Sequence, residues 1–213
     1  MVSGSSDGDA GLVAAAYAPC EVRTRIRGTA VHVAEETSYP FKGTIRFTVN
    51  PAGPVAFPLS LRIPAWAGEG VSSLGSSLGS IRVNGRAEPV PEAGSFARIE
   101  RTWRAGDRVE LTLPLRPRVK RWFNDSAAVE RGPLVFSYGI GEDWVKLRDR
   151  GMTADWQVFP KTQWNYALEA GAGEAGAIQV AEAEVGEVPF SRKSPAITLT
   201  VTARKTPAWL AED

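Results

Sequence analysis

The sequence is poor in the residues that bind transition metals and form disulfides. Its 213 residues contain one cysteine, Cys20, and one histidine, His32. A single cysteine can form neither an intrachain disulfide nor a cysteine-only metal site. The two counts also exclude a classical zinc hydrolase site and a Cys–His nucleophile pair with a spare histidine. Of the metal sites, these counts leave open only one with oxygen ligands, and we expect this chain to hold no metal and no other cofactor.

Long apolar runs and an excess of charge of one sign are also missing. No window approaches the roughly eighteen uninterrupted apolar residues of a membrane helix, and the start of the chain lacks the pattern of a signal peptide. The 25 basic and 24 acidic residues balance, which argues against a nucleic-acid groove or a polybasic membrane surface. We expect neither nucleic acid nor a membrane as partner. The sequence does not decide between a cytoplasmic and a secreted location.

Alternation of apolar and polar residues is the dominant pattern that is present. Ile45, Phe47 and Val49 alternate with polar residues, as in a strand with one face in water. The same alternation recurs at 57–63, 80–83, 109–115 and 196–201. No segment shows sustained helical periodicity, and 21 glycines and 15 prolines are scattered through the chain. These patterns predict an all-β fold.

Turn residues and prolines refine this prediction. Asn84-Gly85 predicts a two-residue hairpin turn, because both residues tolerate the positive φ that a type I′ turn requires. Pro58 and Pro114 lie within alternating segments. Proline cannot donate to a β-ladder, so we expect the two strands at sheet edges or at bulges.

The residue pattern of the sequence changes at the basic run Arg116–Arg121. Strand patterns are evenly spaced before it, and tryptophans become frequent after it. We place a domain boundary there and predict two tandem antiparallel β-sandwiches with jelly-roll or Greek-key-like connections. The expected ranges are 11–121 and 122–213, preceded by a disordered N-terminal segment over residues 1–10.

Eight phrases occur in one order that is familiar from a known family. They are TSYPFKG (37–43), LRIPAWA (61–67), VNG (83–85), RTWRAGDRV (101–109), ERGPLVF (130–136), GEDW (141–144), DWQVFP (155–160) and WNYAL (164–168). The chain, from about residue 11 to residue 210, resembles the C-terminal part of the β-L-arabinofuranosidase-like glycoside hydrolases of family 127. The family was long described as a domain of unknown function.

The resemblance implies a longer enzyme. Members of this family carry an N-terminal catalytic (α/α)6 barrel, with a catalytic glutamate and a zinc-bound cysteine nucleophile, followed by two β-sandwiches. The barrel's motifs have no counterpart in this sequence, and Cys20 falls on the first strand of the first expected sandwich. We therefore carry no catalytic role onto Cys20. The missing barrel is the partner that the resemblance implies, and zinc would belong to that barrel.

For the side chains that could act in catalysis, we favour structural or surface roles. Cys20 is expected to be a buried or half-buried strand residue, and His32, between two valines, a surface or interface residue. Glycosidic acid–base catalysis needs two converging carboxyl groups. The candidate carboxylates are Glu35, Glu36, Glu142, Asp143 and Asp155. None forms an evidently convergent pair, so we expect solvated turn charges and name no catalytic residue.

Aromatic residues are the best candidates for contacts. The candidates for carbohydrate or domain contacts are Trp66, Trp144, Trp156, Trp164 and Tyr166. Indoles exposed on a β surface can stack on sugar rings, and the same side chains could instead fill a core or contact the barrel. Two functions therefore stay open. The first is a noncatalytic accessory region of a β-L-arabinofuranosidase-like hydrolase, and the alternative is an independent carbohydrate-binding module for plant-type glycans.

Overall fold

The structure is a computed structural model that describes residues 2–4, 11–68, 78–169, 171–172 and 176–208. Of these residues, 54% lie in strands and 4% in helical turns, which confirms the all-β prediction. Residues 1 and 5–10 of the segment expected to be disordered lie outside the described residues, and Val2–Gly4 form a strand. None of the described helical turns is long and apolar enough to cross a bilayer.

Strands follow one another along the described ranges with short connections. In chain order they are β1 (Val2–Gly4), β2 (Gly11–Ala14), β3 (Cys20–Ile26), β4 (Thr29–Thr37), β5 (Thr44–Pro51), β6 (Val55–Arg62), β7 (Ser80–Val83), β8 (Arg86–Glu88), β9 (Phe96–Trp103), β10 (Asp107–Thr112), β11 (Pro117–Arg121), β12 (Ala127–Arg131), β13 (Leu134–Phe136), β14 (Glu142–Asp149), β15 (Ala154–Pro160), β16 (Tyr166–Leu168), β17 (Gln179–Glu182), β18 (Ile197–Thr200) and β19 (Ala203–Lys205). Single 3-10 turns occur at Ala65–Gly68 and Phe123–Asp125.

The chain divides into two compact units. The first comprises the described residues up to Arg116 together with Gly132–Leu134 and Ala183–Ile197. It contains a four-stranded sheet, in the order β1-β2-β6-β9, and a six-stranded sheet, in the order β3-β4-β5-β10-β7-β8. The pairs are antiparallel apart from β2 and β6, which run parallel. This unit is a two-sheet sandwich with one parallel exception to the antiparallel prediction.

Alternating side chains build the core of the first unit. Ile45, Phe47 and Val49 of β5 are fully buried, as their spacing predicts. Leu59 and Leu61 of β6 belong to the same cluster from the other sheet. Each sheet has one apolar face, and the apolar area that the two faces remove from water drives the formation of the sandwich.

Trp103 is the largest fully buried side chain of this core. Its ring centroid lies 5.8 Å from that of Phe57. The indole N–H donates a hydrogen bond of 2.9 Å to the backbone carbonyl of Phe57. This bond satisfies the one polar atom of the side chain, which would otherwise be costly to bury.

The turn prediction at Asn84-Gly85 is confirmed. Both residues have positive φ, 51° and 81°, and they join β7 to β8. The Asn84 side chain also ties this turn to the neighbouring strand, since its amide donates to Asp107 and its carbonyl accepts from the backbone of Arg108, each at 2.8 Å.

The two proline predictions are wrong in different ways. Pro58 lies in β6, which has neighbours on both sides. The parallel ladder with β2 begins only at Leu59, so Pro58 lies where β6 is paired on one side. Pro114 follows the end of β10 and is not part of a strand. The apolar alternation of residues 109–115 therefore extends beyond Thr112, where the hydrogen-bonded part of β10 ends.

The second unit consists of smaller sheets. It comprises Pro117–Arg131, Val135–Glu182 and the described residues from Thr198 onward. Its strands form a three-stranded sheet, β11-β12-β13, and the pairs β14-β15, β16-β19 and β17-β18. Most described side chains of this unit are exposed or half-buried. Two-stranded sheets have marginal stability in water unless something packs on them.

Truncation of the central tryptophan tests the core of the first unit. We expect Trp103→Ala to lower the free energy of unfolding by about 3–5 kcal/mol, because it removes a buried aromatic side chain and leaves a cavity. Urea denaturation followed by circular dichroism measures this change. The exposed neighbour Thr102 provides the control, since Thr102→Ala should stay within about 0.5 kcal/mol of the wild type. Equal stability of the two variants would contradict this description of the core.

Candidate functional site

The sole cysteine and the sole histidine lie on adjacent strands without meeting. Cys20 is half-buried on β3, and its Sγ lies 3.5 Å from a carboxyl oxygen of Glu35. Burial and the neighbouring carboxylate raise the pKa of the Cys20 thiol. His32 Nε2 instead lies 3.2 Å from Glu21. The raised pKa favours the protonated, unreactive thiol, and the histidine pairs with Glu21 instead of acting as its base.

Glu35 contradicts the expectation of solvated carboxylates. Glu35 is only 2% exposed, because it continues the inward-facing series of Val31 and Val33 along β4. One carboxyl oxygen accepts a hydrogen bond of 3.0 Å from the backbone N–H of Ala18. Burial raises the pKa of Glu35 above its ordinary value, since the charged form loses hydration. The neighbouring Glu36 is exposed, so the two carboxyl groups diverge.

The remaining candidate carboxylates are engaged one by one at exposed or half-buried positions. Glu142 accepts a hydrogen bond of 2.9 Å from the Trp144 indole. Asp143 pairs with Lys161 at 3.1 Å, and Asp155 pairs with Arg150 at 2.7 Å. None of these contacts brings two carboxyl groups together for acid–base catalysis. Among the residues that the structure describes, no group of three or more metal-binding side chains occurs.

Trp66 lies at the edge of the first unit's core. It belongs to the 3-10 turn Ala65–Gly68, and its half-buried side chain packs against the core cluster. A hydrogen bond joins it to the Tyr39 side chain. Gly132 comes close on another side: a Cβ on this glycine would lie 3.6 Å from the indole and 2.5 Å from Leu115. Little of this indole is therefore available to a ligand.

Trp144 and Trp156 meet on the β14-β15 hairpin. Their ring centroids are 6.1 Å apart and the ring planes are at 78°. The residues are 55% and 47% exposed. The two indoles therefore form an open corner, which is the most accessible aromatic pair among the residues predicted from the sequence.

The other two predicted aromatics do not extend this corner by any ring contact that the structure describes. Trp164 is half-buried in the connection between β15 and β16. Tyr166 is 38% exposed, and its ring lies 5.5 Å from that of Tyr138 in an edge-on arrangement. Of the four predicted aromatics of the second unit, Trp144 and Trp156 therefore pair with each other, and Tyr166 pairs with Tyr138, which was not predicted.

A second exposed aromatic site was missed by sequence reasoning. Trp122 and Phe123, at the turn between β11 and β12, are 56% and 87% exposed. Asn124 and Asp125 follow with positive φ, 53° and 56°. The signal was present, since consecutive Asn and Asp are the ordinary non-glycine residues at such a turn. We name the pair Trp122 and Phe123 the aromatic turn.

Exposed apolar side chains concentrate in the second unit. They are Trp122, Phe123, Val135, Tyr138, Trp144, Val145, Leu147, Met152, Trp156, Val158, Phe159, Tyr166 and Val180. Single exposed apolar residues are normal on a protein surface, whereas a concentration of large ones indicates a contact with another molecule or domain.

Comparison with known proteins gives one family match. Residues 11–115 match the family described as "Beta-L-arabinofuranosidase, GH127 middle domain". None of the curated proteins matches the sequence.

Solved structures show a related fold. A GH127 β-L-arabinofuranosidase from Geobacillus stearothermophilus T6 is similar with a TM-score of 0.52 and 19% identity, over 93% of this chain and 31% of that one. A second GH127 β-arabinofuranosidase gives a TM-score of 0.51 and 18% identity, over 70% and 31%. A third structure, named only as a glycoside hydrolase, is 28% identical over 58% and 20%, with a TM-score of 0.49. The chain thus spans less than a third of the length of these proteins.

The buried carboxyl group of Glu35 generates a test by pH. Because its pKa is raised in the folded state, the folded chain binds this proton more tightly than the unfolded chain does. Protonated Glu35 therefore stabilises the fold at acid pH, and this contribution is lost as the pH rises through the folded pKa. We expect Glu35→Gln, a neutral side chain of the same shape, to gain stability over the wild type at neutral pH and to lose that advantage in acid.

Chemical denaturation at several pH values between acid and neutral measures the difference between the two proteins. The exposed neighbour provides the control, since Glu36→Gln should leave a difference that hardly changes with pH. A Glu35→Gln variant whose stability relative to the wild type is the same at every pH would contradict the buried position of this carboxyl group.

Proposed function

Residues 11–115 form a β-rich region related to the GH127 middle domain, and from this premise we propose that the chain is a noncatalytic accessory region of a β-L-arabinofuranosidase-like glycoside hydrolase. The single observation that carries the proposal is the contrast between this matched sandwich and the apolar surface of the second unit. A sandwich with a closed core needs no partner, whereas a unit that exposes many large apolar side chains does.

A noncatalytic role is supported by the chemistry of the described side chains. The thiol of Cys20 is protonated beside a buried carboxyl group, and the candidate carboxylates are separately engaged. Glycoside hydrolysis requires two carboxyl groups at a set separation across the scissile bond, or an activated nucleophile. Neither arrangement occurs among the residues that the structure describes, so we assign the chemistry to another part of a longer enzyme.

We assign the part of this apolar surface that the aromatic turn forms to contact with the catalytic (α/α)6 barrel. The chain spans less than a third of the solved GH127 proteins that it matches, so an enzyme of this kind would have a large remainder to cover that surface. In this role the chain braces the barrel and excludes water from their common face. Tryptophan and other aromatic residues are the side chains that most often dominate such contacts.

The aromatic turn is the strongest anchor for this contact. Its conformation is set before binding, since the backbone N–H of Trp122 donates to Ser126 at 2.8 Å and Arg121 pairs with Asp125 at 2.8 Å. The Lys120 ammonium lies 4.9 Å from the centre of the Trp122 ring. A turn that is already ordered loses little conformational entropy when it docks.

Activity measurements test the noncatalytic role. We expect the chain alone to leave an aryl β-L-arabinofuranoside intact, and a polypeptide that adds an upstream barrel encoded in the same reading frame to hydrolyse it. The DNA upstream of Met1 shows whether such a barrel is encoded. Turnover by the chain alone, or a reading frame without a barrel, would contradict the proposal.

Removal of the aromatic turn tests the contact. With the barrel and the chain produced as separate polypeptides, we expect the double variant Trp122→Ser, Phe123→Ser to bind the barrel at least about thirtyfold more weakly, as loss of an interface hot spot does. Isothermal titration calorimetry measures this affinity. Val188, an exposed apolar residue of the first unit, provides the control variant Val188→Ser. Equal affinities of all three chains would contradict docking through the aromatic turn.

A further inference from the structure

The β14-β15 hairpin carries both of its tryptophans on one face. Antiparallel pairing places Trp144 opposite Val158 and Lys146 opposite Trp156. The two indoles are therefore diagonal neighbours on the same face, which is the arrangement in which large side chains of adjacent strands touch. A bulge follows between Lys146 and Arg148. The corner between the indoles is thus a product of the strand register, and it does not depend on a loop.

Two charged side chains hold the indoles at this angle. The Trp144 indole N–H donates to Glu142, two residues earlier on the same face, at 2.9 Å. The Lys146 ammonium lies 5.4 Å from the centre of the Trp156 ring, a cation–π distance. The two indoles are therefore already oriented in the free chain. Binding of a ligand would cost little conformational entropy at this site.

We propose that the corner between Trp144 and Trp156 binds the rings of a neutral carbohydrate. One sugar ring can lay its apolar C–H face on one indole while its edge contacts the other indole, which stands nearly perpendicular to the first. Hydroxyl groups at the edge of that ring then reach Glu142 as an acceptor and Lys146 as a donor. A sugar ring needs this combination of apolar walls and polar rim.

The charges of this face favour a neutral glycan over the other occupants. Glu142 and Lys146 lie within two residues of Trp144, and Lys146 also pairs with Asp149 at 3.3 Å, so the rim has no excess of positive charge that would select an anionic ligand. A protein surface laid on the corner would have to bury both charges, which is costly unless each finds a partner. A sugar leaves them in water and uses them through its hydroxyl groups.

This inference goes beyond the accessory role and does not depend on it. Docking is assigned to the aromatic turn of Trp122 and Phe123, which are different residues on a different pair of strands. The chain could therefore contact the barrel through one site and hold a glycan chain through the other. The experiment uses the chain alone, so the result does not depend on whether a barrel is encoded upstream.

Titration with defined oligosaccharides tests the proposal. The indole N–H signals of the tryptophans are followed by nuclear magnetic resonance while arabino-oligosaccharides, cello-oligosaccharides and oligogalacturonides are added. We expect at least one of the two neutral sugars to shift the signals of Trp144 and Trp156 and to leave that of Trp122 in place. Trp122 is a matched reference because its exposed fraction, 56%, is close to the 55% of Trp144.

Substitutions then assign the binding to the corner. We expect Trp144→Ala and Trp156→Ala each to weaken binding about tenfold or more, since each removes one wall. Trp122→Ala should bind as the wild type does. The conservative variants Trp144→Phe and Trp156→Phe should recover part of the affinity, which separates loss of stacking from loss of the hairpin.

Three results would overturn the proposal. One is the absence of any shift at saturating concentrations of both neutral sugars. Another is an equal loss of binding in Trp122→Ala, which would show a site elsewhere. The last is a preference for the anionic oligogalacturonide, which would contradict a neutral ligand. The arabino and cello arms distinguish furanose from pyranose rings, and binding of either supports the corner.

Discussion

Burial of alternate side chains between two facing sheets is the constraint on which the rest of this structure depends. In the first unit both sheets have an apolar face, and the shared core removes side chains such as Phe47, Leu61 and Trp103 from water. This closed core fixes the strand register, because a shift of one residue would turn every apolar side chain outward. The second unit has no comparable core among its described residues, and its apolar side chains are left at the surface. The proposed accessory role follows from this difference between the units.

Sequence reasoning predicted the strands and the hairpin turn for physical reasons that are local. The alternation of Ile45, Phe47 and Val49 and the positive φ of Asn84-Gly85 are properties of neighbouring residues. The parallel pairing of β2 with β6 depends on residues that are far apart in the chain, and no local pattern carries it. Glu35 could have been found, since it continues the inward phase of Val31 and Val33.

Several phrases on which the family resemblance rests contain residues with structural roles. Trp103, from RTWRAGDRV, is a core residue, and Asn84, from VNG, is a turn residue. Glu130, from ERGPLVF, is buried in an ion pair with Arg118 at 2.6 Å. Gly132 of the same phrase has a positive φ, and a Cβ at this position would lie 2.5 Å from the Leu115 side chain. These phrases therefore carry the resemblance through packing and turns. Trp144 and Trp156, from GEDW and DWQVFP, are instead exposed, and their exposure had to be found in the structure because periodicity does not show which face is covered.

Coverage of the aromatic turn in a longer polypeptide is the basis of the proposed accessory role, and hydrogen–deuterium exchange tests it most directly. The chain alone is compared with a polypeptide that adds the upstream barrel. We predict that the amides of β11 and β12 and of the aromatic turn exchange at least about tenfold more slowly in the longer polypeptide. The amides of β4 and β5, in the closed sandwich, should exchange at the same rate in both. Equal exchange of the aromatic turn in the two polypeptides would contradict the account.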